Sequence, residues 1–592
     1  MRSMARITGG EALVRSLEVN GVRQVFGIPG VQLDHAADAL YHARDDIEFI
    51  CARNEQAVSY MADGCARSTG RVGVSMVVPG PGMLNGLAGL ATAYACSSPV
   101  FYIAGQVDSA VIGRGLGALH EIPGQSAILR TLTKWSGLAQ RPEQIPGLVR
   151  RAFAELRSGR PRPVGLEIPP DVLASSADMD IPGAAGYAPA VPDAGLLDRV
   201  AAMLGRARRP VIVVGGGVLA ADGAGALQEL ADALRAPVVM SEHGRGAISA
   251  RHWLAFDALA FRRLREDADV VLGVGTRFVT ASGSQIPVGS ARLILVNADA
   301  ADLGPPRAPH LAVHGDARLA LQALAAGVRG VSCEWRASEL ASVRSWCEEQ
   351  YADISPQRAY LAAIREALPD DGVLVSDLTQ IGYAANACFP VYAPRTYLTP
   401  GYQGTLGYGF ATALGVKAGN PGRAVVSVIG DGGFSWTLPE LSTARKYQLA
   451  TVTVVFNDGY FGNVRRIQRD RFGARYLASD LVNPDYIKLA DAFGVAGVRA
   501  EGPAKLAEVL KQAIAADEPV LIDAPVGEFP TPWHLMREGV PRPSGLPRGT
   551  APTAGRPFGH EGQSNAGRQV SGHPGTDSRR AAPPPPDPPS VG

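Results

Sequence analysis

Short apolar runs and Ala-rich amphipathic stretches take turns along most of this chain. From about Arg6 to Ile168, the runs Glu48-Phe49-Ile50, Val72-Gly73-Val74-Ser75-Met76-Val77-Val78 and Pro99-Val100-Phe101-Tyr102-Ile103 alternate with helical segments. That alternation predicts an α/β domain built on a parallel sheet. A Pro/Gly/Ala-rich stretch from Pro182 to Pro192 marks a boundary, and strand signals resume at Pro210-Val211-Ile212-Val213-Val214 and Asp269-Val270-Val271-Leu272. After a helical segment over 333–350, a third set opens with Gly372-Val373-Leu374-Val375-Ser376-Asp377 and closes with Pro519-Val520-Leu521-Ile522-Asp523. The pattern predicts three doubly wound parallel-sheet domains, over 1–185, 192–335 and 345–535. Beyond about Arg542 the chain turns to Pro, Gly, Ser and Arg. Residues 542–592 are expected to form a disordered tail, because they carry too little apolar surface to offset the entropy of ordering.

Composition narrows the class. A chain of 592 residues, 46% hydrophobic and 19% charged, is neither collagenous, coiled-coil nor wholly disordered. Lys plus Arg at 57 against Asp plus Glu at 56 leaves a net charge of +1, which gives no global pull onto nucleic acid or an anionic membrane. A small-molecule partner is expected. The six cysteines form no CxxC pair and sit in apolar or helical stretches, as reduced thiols in a cytoplasmic protein do. Met1 to Arg15 lacks a continuous apolar segment, and no window approaches the roughly 20 apolar residues of a membrane span, so neither secretion nor membrane insertion is expected.

The most specific chemical signal runs from Val425-Val426-Ser427-Val428-Ile429-Gly430-Asp431-Gly432-Gly433 to Val452-Thr453-Val454-Val455-Phe456-Asn457-Asp458-Gly459-Tyr460. Two β-rich runs flank a segment with Leu438, Leu441 and Ala444 at helical spacing, which reads as strand, helix, strand. A right-handed crossover brings both strand ends to one sheet edge, so Asp431 and Asp458 can converge although 27 positions apart. Two such carboxylates repel unless a cation such as Mg²⁺ joins them, and Mg²⁺ is commonly completed by phosphate oxygens. Gly430, Gly432 and Gly433 let backbone amides approach an anion. The alternative on local sequence is that Asp431 caps a helix and Asp458-Gly459 forms a turn.

With these motifs the chain resembles, over roughly residues 5–535, the thiamine diphosphate enzymes of the acetolactate synthase and 2-oxo acid decarboxylase superfamily. Their signature is GDG followed some two dozen residues later by Asn-Asn or Asn-Asp. The resemblance implies pyrimidine-binding, central and diphosphate-binding roles for the three domains. It also implies Asp431, Asp458 and the Tyr460 carbonyl as Mg²⁺ ligands, with Tyr460, Phe461 and Gly462 beside the cofactor. Many relatives carry Asn at the position of Asp458, so this site is expected to be one charge more negative. Arg53-Asn54-Glu55-Gln56 matches the catalytic-glutamate motif, whose carboxylate bonds the aminopyrimidine ring; relatives often have His at Asn54. In Gly404-Thr405-Leu406-Gly407, Leu406 matches the apolar residue that props the cofactor into a folded shape. Thr379 and Gln380 match its other diphosphate contacts.

In the first domain Phe26-Gly27-Ile28-Pro29-Gly30, Val78-Pro79-Gly80-Pro81-Gly82 and Gly105-Gln106-Val107 resemble the family's pyrimidine loops. Leu119-His120-Glu121-Ile122-Pro123 matches a segment whose second residue is usually a substrate-facing Gln, so His120 would place a titratable imidazole there. Family members bind FAD at the central domain or nothing. Here Val214-Gly215-Gly216-Gly217 lacks the GxGxxG pattern, and Gly275-Thr276-Arg277-Phe278 lacks a following acidic pair, which argues against FAD. The expected activity is decarboxylation of a 2-oxo acid followed by ligation to a second carbonyl, as in acetolactate synthases, by a homodimer or homotetramer. Simple decarboxylation to an aldehyde is the runner-up. A silent scaffold and a nicotinamide oxidoreductase are rivals from other classes, the latter resting only on the central glycine run.

Overall fold

A computed structural model describes residues 5–331 and 333–543 of the chain. The expected tail over 542–592 therefore lies, from 544 onward, outside the described residues. Among the described residues there are three six-stranded sheets and one two-stranded ribbon. All pairings in the larger sheets are parallel. The apolar runs become strands buried on both faces, such as Gly73–Val77, Pro210–Val214 and Val425–Gly430, because helices cover each sheet from both sides.

The strand orders carry functional information. Numbered within each sheet by chain order, the first and third sheets both run 2-1-3-4-6-5, whereas the central sheet runs 3-2-1-4-5-6. In a doubly wound sheet, ligands collect beyond the carboxyl ends of the strands where the order reverses. In the third sheet that point falls between Val373–Ser376 and Val425–Gly430, which pair directly with Ser376 opposite Val428. In the first it falls between Gln24–Gly27 and Gly73–Val77. The ribbon joins Ala5–Thr8 to Ser176–Met179 in antiparallel register and ties the two ends of the first domain together.

The first and third domains are locked to one another by two helices, Glu55–Thr69 and Tyr408–Gly419. Their contact is backbone on backbone. A Cβ at Gly64 would lie 2.2 Å from the Thr412 carbonyl oxygen, and one at Gly415 would lie 1.9 Å from that of Met61. Only glycine permits so close an approach. Beside this crossing a buried ionic cluster gathers all three domains. Arg67 donates to the Thr399 carbonyl at 2.8 Å and to the Tyr408 hydroxyl at 2.6 Å, and its guanidinium lies 3.5 Å from Asp63. It also lies 3.2 Å from Nδ1 of His243 in the central domain. Burial and the Arg67 charge hold His243 down at about 3, so the imidazole is neutral and Nδ1 accepts.

Gly415→Ala is therefore expected to lower stability by about 1–3 kcal/mol through overpacking, despite the roughly 1 kcal/mol that alanine adds to a helix interior. Thermal unfolding measures this. Gly422→Ala, whose Cβ would meet nothing within 4 Å, should leave Tm unchanged.

Candidate functional site

At the reversal point of the third sheet, Asp431 opens the helix Asp431–Thr437 directly after its strand. Its Oδ1 accepts from the Gly432 amide at 2.8 Å, and its Oδ2 accepts from the Gly459 amide at 2.7 Å and the Asn483 side-chain amide at 2.6 Å. The next strand over, Thr451–Asn457, lies parallel with Phe456 opposite Gly430 and delivers Asp458 to the same edge. Asp458 accepts from the Tyr460 amide at 3.0 Å and from Gln380 Nε2 at 2.6 Å. Burial pushes Asp431 above the usual carboxylate range. Burial and then the Asp431 charge push Asp458 up to about 7.

Glycines form the floor around this pair. A Cβ at Gly432 would lie 2.6 Å from the Phe461 ring, one at Gly462 3.0 Å from Asp458 Oδ2, and one at Gly430 3.3 Å from Thr379 Oγ1. A Cβ at Gly433 would lie 3.3 Å from Asp377 Oδ2. Thr379 precedes the helix Gln380–Cys388, and Phe461 precedes the helix Gly462–Phe472. Backbone amides at these helix starts lie beside the aspartates. Gln380, matched by resemblance to a diphosphate contact, has its side chain at Asp458. It donates to Asp458, and its side-chain carbonyl oxygen accepts from the Phe529 amide at 2.8 Å and from Arg466 at 3.2 Å. Leu406 lies between Gly404 and Gly407, whose φ values of +61° and +80° favour glycine, and its side chain is half-exposed.

The first domain presents a second group of residues. Glu55 is the first residue of its helix, where Asn54 serves as the cap by accepting from the Gln56 amide at 2.8 Å. Asn85 donates to Glu55 Oε2 at 3.1 Å, and a Cβ at Gly82 would lie 3.4 Å from Glu55 Oε1. The third domain reaches this point through Glu440. Its fully buried carboxylate accepts from the amides of Arg53 at 2.9 Å and Asn54 at 3.1 Å, and from the Thr443 hydroxyl at 2.6 Å. His120 stands on the adjoining loop with φ of +68°, its Nδ1 3.1 Å from Gln32 Oε1. The loop is close-packed, because a Cβ at Gly80 would lie 2.3 Å from the His120 carbonyl oxygen. The structure thus brings Asp431, Asp458, Gln380 and the glycines together, and places Glu55 and His120 on the edge of a different sheet.

Two signature edges on two sheets of the same strand order suggest one ligand held at two ends. Residues 7–128, 197–324 and 377–524 match, in turn, the N-terminal TPP binding, central and C-terminal TPP binding domains of thiamine pyrophosphate enzymes. The chain belongs to the thiamine pyrophosphate enzymes. It is 36% identical over 512 residues to a probable 2-ketoarginine decarboxylase of Pseudomonas aeruginosa, covering 84% of this chain and 90% of that protein. It is 33% identical over 540 residues to the acetolactate synthase isozyme 3 large subunit of Escherichia coli, covering 86% and 93%. A probable acetolactate synthase large subunit of Methanocaldococcus jannaschii is 32% identical over 551 residues, covering 87% and 91%.

This thiamine pyrophosphate enzyme has a donor set that fits its cofactor. The glycine floor leaves no side chains between the main chain and an approaching diphosphate, and two adjacent carboxylates suit a hard divalent cation. Among the described residues no group of three or more His, Cys, Asp or Glu side chains is arranged for a metal. A cation here would take two carboxylates, a backbone carbonyl and cofactor oxygens, in the manner of Mg²⁺.

Three residues escaped the sequence reading. Asn483 and Arg466 lie in segments without a motif, and Glu440 was passed over within a helical stretch. The structure breaks that stretch into Asp431–Thr437, a 3₁₀ turn Leu438–Glu440 and Leu441–Lys446. The Glu440 turn yields a prediction. Burial raises its carboxyl from 4.5 to about 7 in the folded enzyme. Its contribution is therefore complete below pH 4.5 and is lost as the pH climbs through about 7. Glu440→Gln should flatten the dependence of unfolding free energy on pH across that interval, as read from urea titrations. An unchanged slope would contradict the assignment.

Proposed function

We propose that this enzyme uses thiamine diphosphate and Mg²⁺ to decarboxylate a 2-oxo acid and joins the remaining fragment to a second carbonyl, as an acetolactate synthase does. The observation that carries this reading is the pairing of Asp431 and Asp458, through Gly459, on a glycine floor at the reversal point of the third sheet. When bound, thiamine diphosphate supplies a nucleophilic carbon and a sink for the electron pair released with CO₂. The chain's residues do the rest. Asp431, Asp458 and the Tyr460 carbonyl would hold the cation, and Gly430, Gly432, Gly433 and Thr379 would border the diphosphate. Gln380 holds Asp458 in place and is itself held by Arg466. Leu406, with Phe461 and Gly462, shapes the apolar wall. The Glu55 carboxylate holds a proton at the aminopyrimidine ring nitrogen, oriented by Asn85.

Simple decarboxylation is the second reading, and His120 favours it. An imidazole on the substrate-facing loop can deliver a proton to the decarboxylated carbon. The relative from Pseudomonas aeruginosa, named as a decarboxylase, agrees with it. A scaffold would have no use for Glu55, Asp431 and Asp458 together. The reading involves no FAD: at the central strand ends the Gly217 amide bonds the Gly275 carbonyl at 2.9 Å, and His243 packs over Gly216.

The working unit in this reading is a homodimer or homotetramer. Glu55 and the aspartates sit on separate edges, and large apolar side chains stand exposed around both: Leu84, Leu116 and Leu119 on the first domain, Tyr402, Trp436 and Val464 on the third. A reducing cytoplasm suits the six cysteines, which form no CxxC pair. Among the described residues no helix is long and apolar enough to cross a membrane.

Glu55→Gln should retain the cofactor yet slow CO₂ release about 10²–10⁴-fold, with a parallel loss of hydrogen–deuterium exchange at the reactive thiazolium carbon. Asp431→Ala should purify without cofactor by mass spectrometry, because one of two charged ligands of the cation is gone. Full cofactor content in that variant would contradict the metal assignment. Product analysis with pyruvate, benzoylformate and longer 2-oxo acids separates the readings: a 2-hydroxy ketone supports ligation, a free aldehyde supports decarboxylation.

A further inference from the structure

Away from the cofactor edges, a cavity of about 530 Å³ lies where the central domain meets the third. That volume is within the range of about 300–1,000 Å³ typical of small-molecule sites. The helices Ala337–Tyr351 and Ser355–Ala367 form one wall, and the strand ends at Met240 and Asp257 form the other. Much of the lining is apolar, including Met240, Phe256, Leu361 and Pro390.

The charges around the cavity do not balance. Two carboxylates line it, and each already has an arginine. Asp257 pairs with Arg245 at 3.0 Å, and Glu348 pairs with Arg358 at 2.7 Å. Two further guanidiniums, Arg344 and Arg365, also line it, and their hydrogen bonds run to backbone carbonyls. Arg344 donates to Ala255 and Trp253, and Arg365 to Leu368 and Pro369. The nearby Asp370 is engaged by Arg251. Arg365 Nε is buried with no partner among the described residues. The two thiols in the lining, Cys347 and Cys388, are pushed up to about 12 by burial and stay neutral. The cavity therefore holds surplus positive charge beside an apolar surface.

We propose that this cavity is a binding site for a small monocarboxylate with an apolar tail, its carboxylate meeting Arg344 and Arg365 and its tail lying on Phe256, Met240 and Leu361. A guanidinium with spare donors recognises a carboxylate directly. A dianion such as phosphate suits the site less well, because Asp257 and Glu348 stand in the same lining and would repel a second charge. The site is not isolated from the catalytic edge. Cys388 is the last residue of the helix whose first residue, Gln380, holds Asp458.

The probe is 3-phenylpropanoate, titrated calorimetrically into the full-length holoenzyme, with neutral 3-phenylpropanamide as its uncharged counterpart. The carboxylate should bind once per chain, with the amide at least about tenfold weaker. Arg344→Gln removes one of the surplus charges, and Ala362→Trp fills the cavity from an exposed helix position. Each should weaken the carboxylate about tenfold while cofactor content and Tm match the parent enzyme. Either variant decides the matter if the other fails to fold. Absence of binding at millimolar probe, equal affinity for acid and amide, or binding that survives in a folded variant would overturn the proposal.

Discussion

The close crossing of the Glu55–Thr69 and Tyr408–Gly419 helices governs where the chemistry can sit. With Gly64 and Gly415 at the contact, each helix rests on a carbonyl of the other, so the two domains cannot slide without a clash of main-chain atoms. The helix starts carry Glu55 on one side and follow Leu406 on the other. Gln56 and Tyr60 both lie 3.4 Å from the Leu406 carbonyl oxygen. The crossing thus fixes the start of the Glu55 helix against the Leu406 main chain of the third domain.

Buried charge reinforces that arrangement. Asp63, Arg67 and His243 draw one ion pair and one imidazole from two domains together, and removing one member of a buried pair typically costs about 3–5 kcal/mol. Glu440 holds the start of the Glu55 helix by accepting from two amides just before it. Where charge cannot be paired internally, at Asp431 and Asp458, a cation restores the balance in the proposed holoenzyme. The same domain contacts that stabilise the fold therefore also tune the chemistry.

Much of this was legible in the residues. Buried strands such as Pro210–Val214 and Val425–Gly430 announce themselves as unbroken β-branched runs, and the Gly430-Asp431-Gly432-Gly433 turn is contiguous, so the three parallel-sheet domains and the enzyme family could be read from the chain. The ribbon of Ala5–Thr8 with Ser176–Met179 could not, because its partners are remote in sequence and each strand is only 4 residues long. Glu440, Asn483 and Arg466 escaped for a similar reason: each gains meaning only from a partner brought near by folding. Gln380 also gains partners on folding, donating to Asp458 and accepting from the Phe529 amide.

In the proposed homodimer or homotetramer, a complete site would join Glu55 of one chain to Asp431 and Asp458 of its partner. Subunit exchange tests it most directly. Glu55→Gln and Asp431→Ala proteins, each inactive alone, are mixed with cofactor and Mg²⁺ while exchange is followed by native mass spectrometry. Mixed dimers hold one site with both native residues, so the account predicts that CO₂ release returns in proportion to their abundance. Demonstrated exchange with no recovery would contradict it, as would full activity from parent protein that light scattering sizes as a monomer.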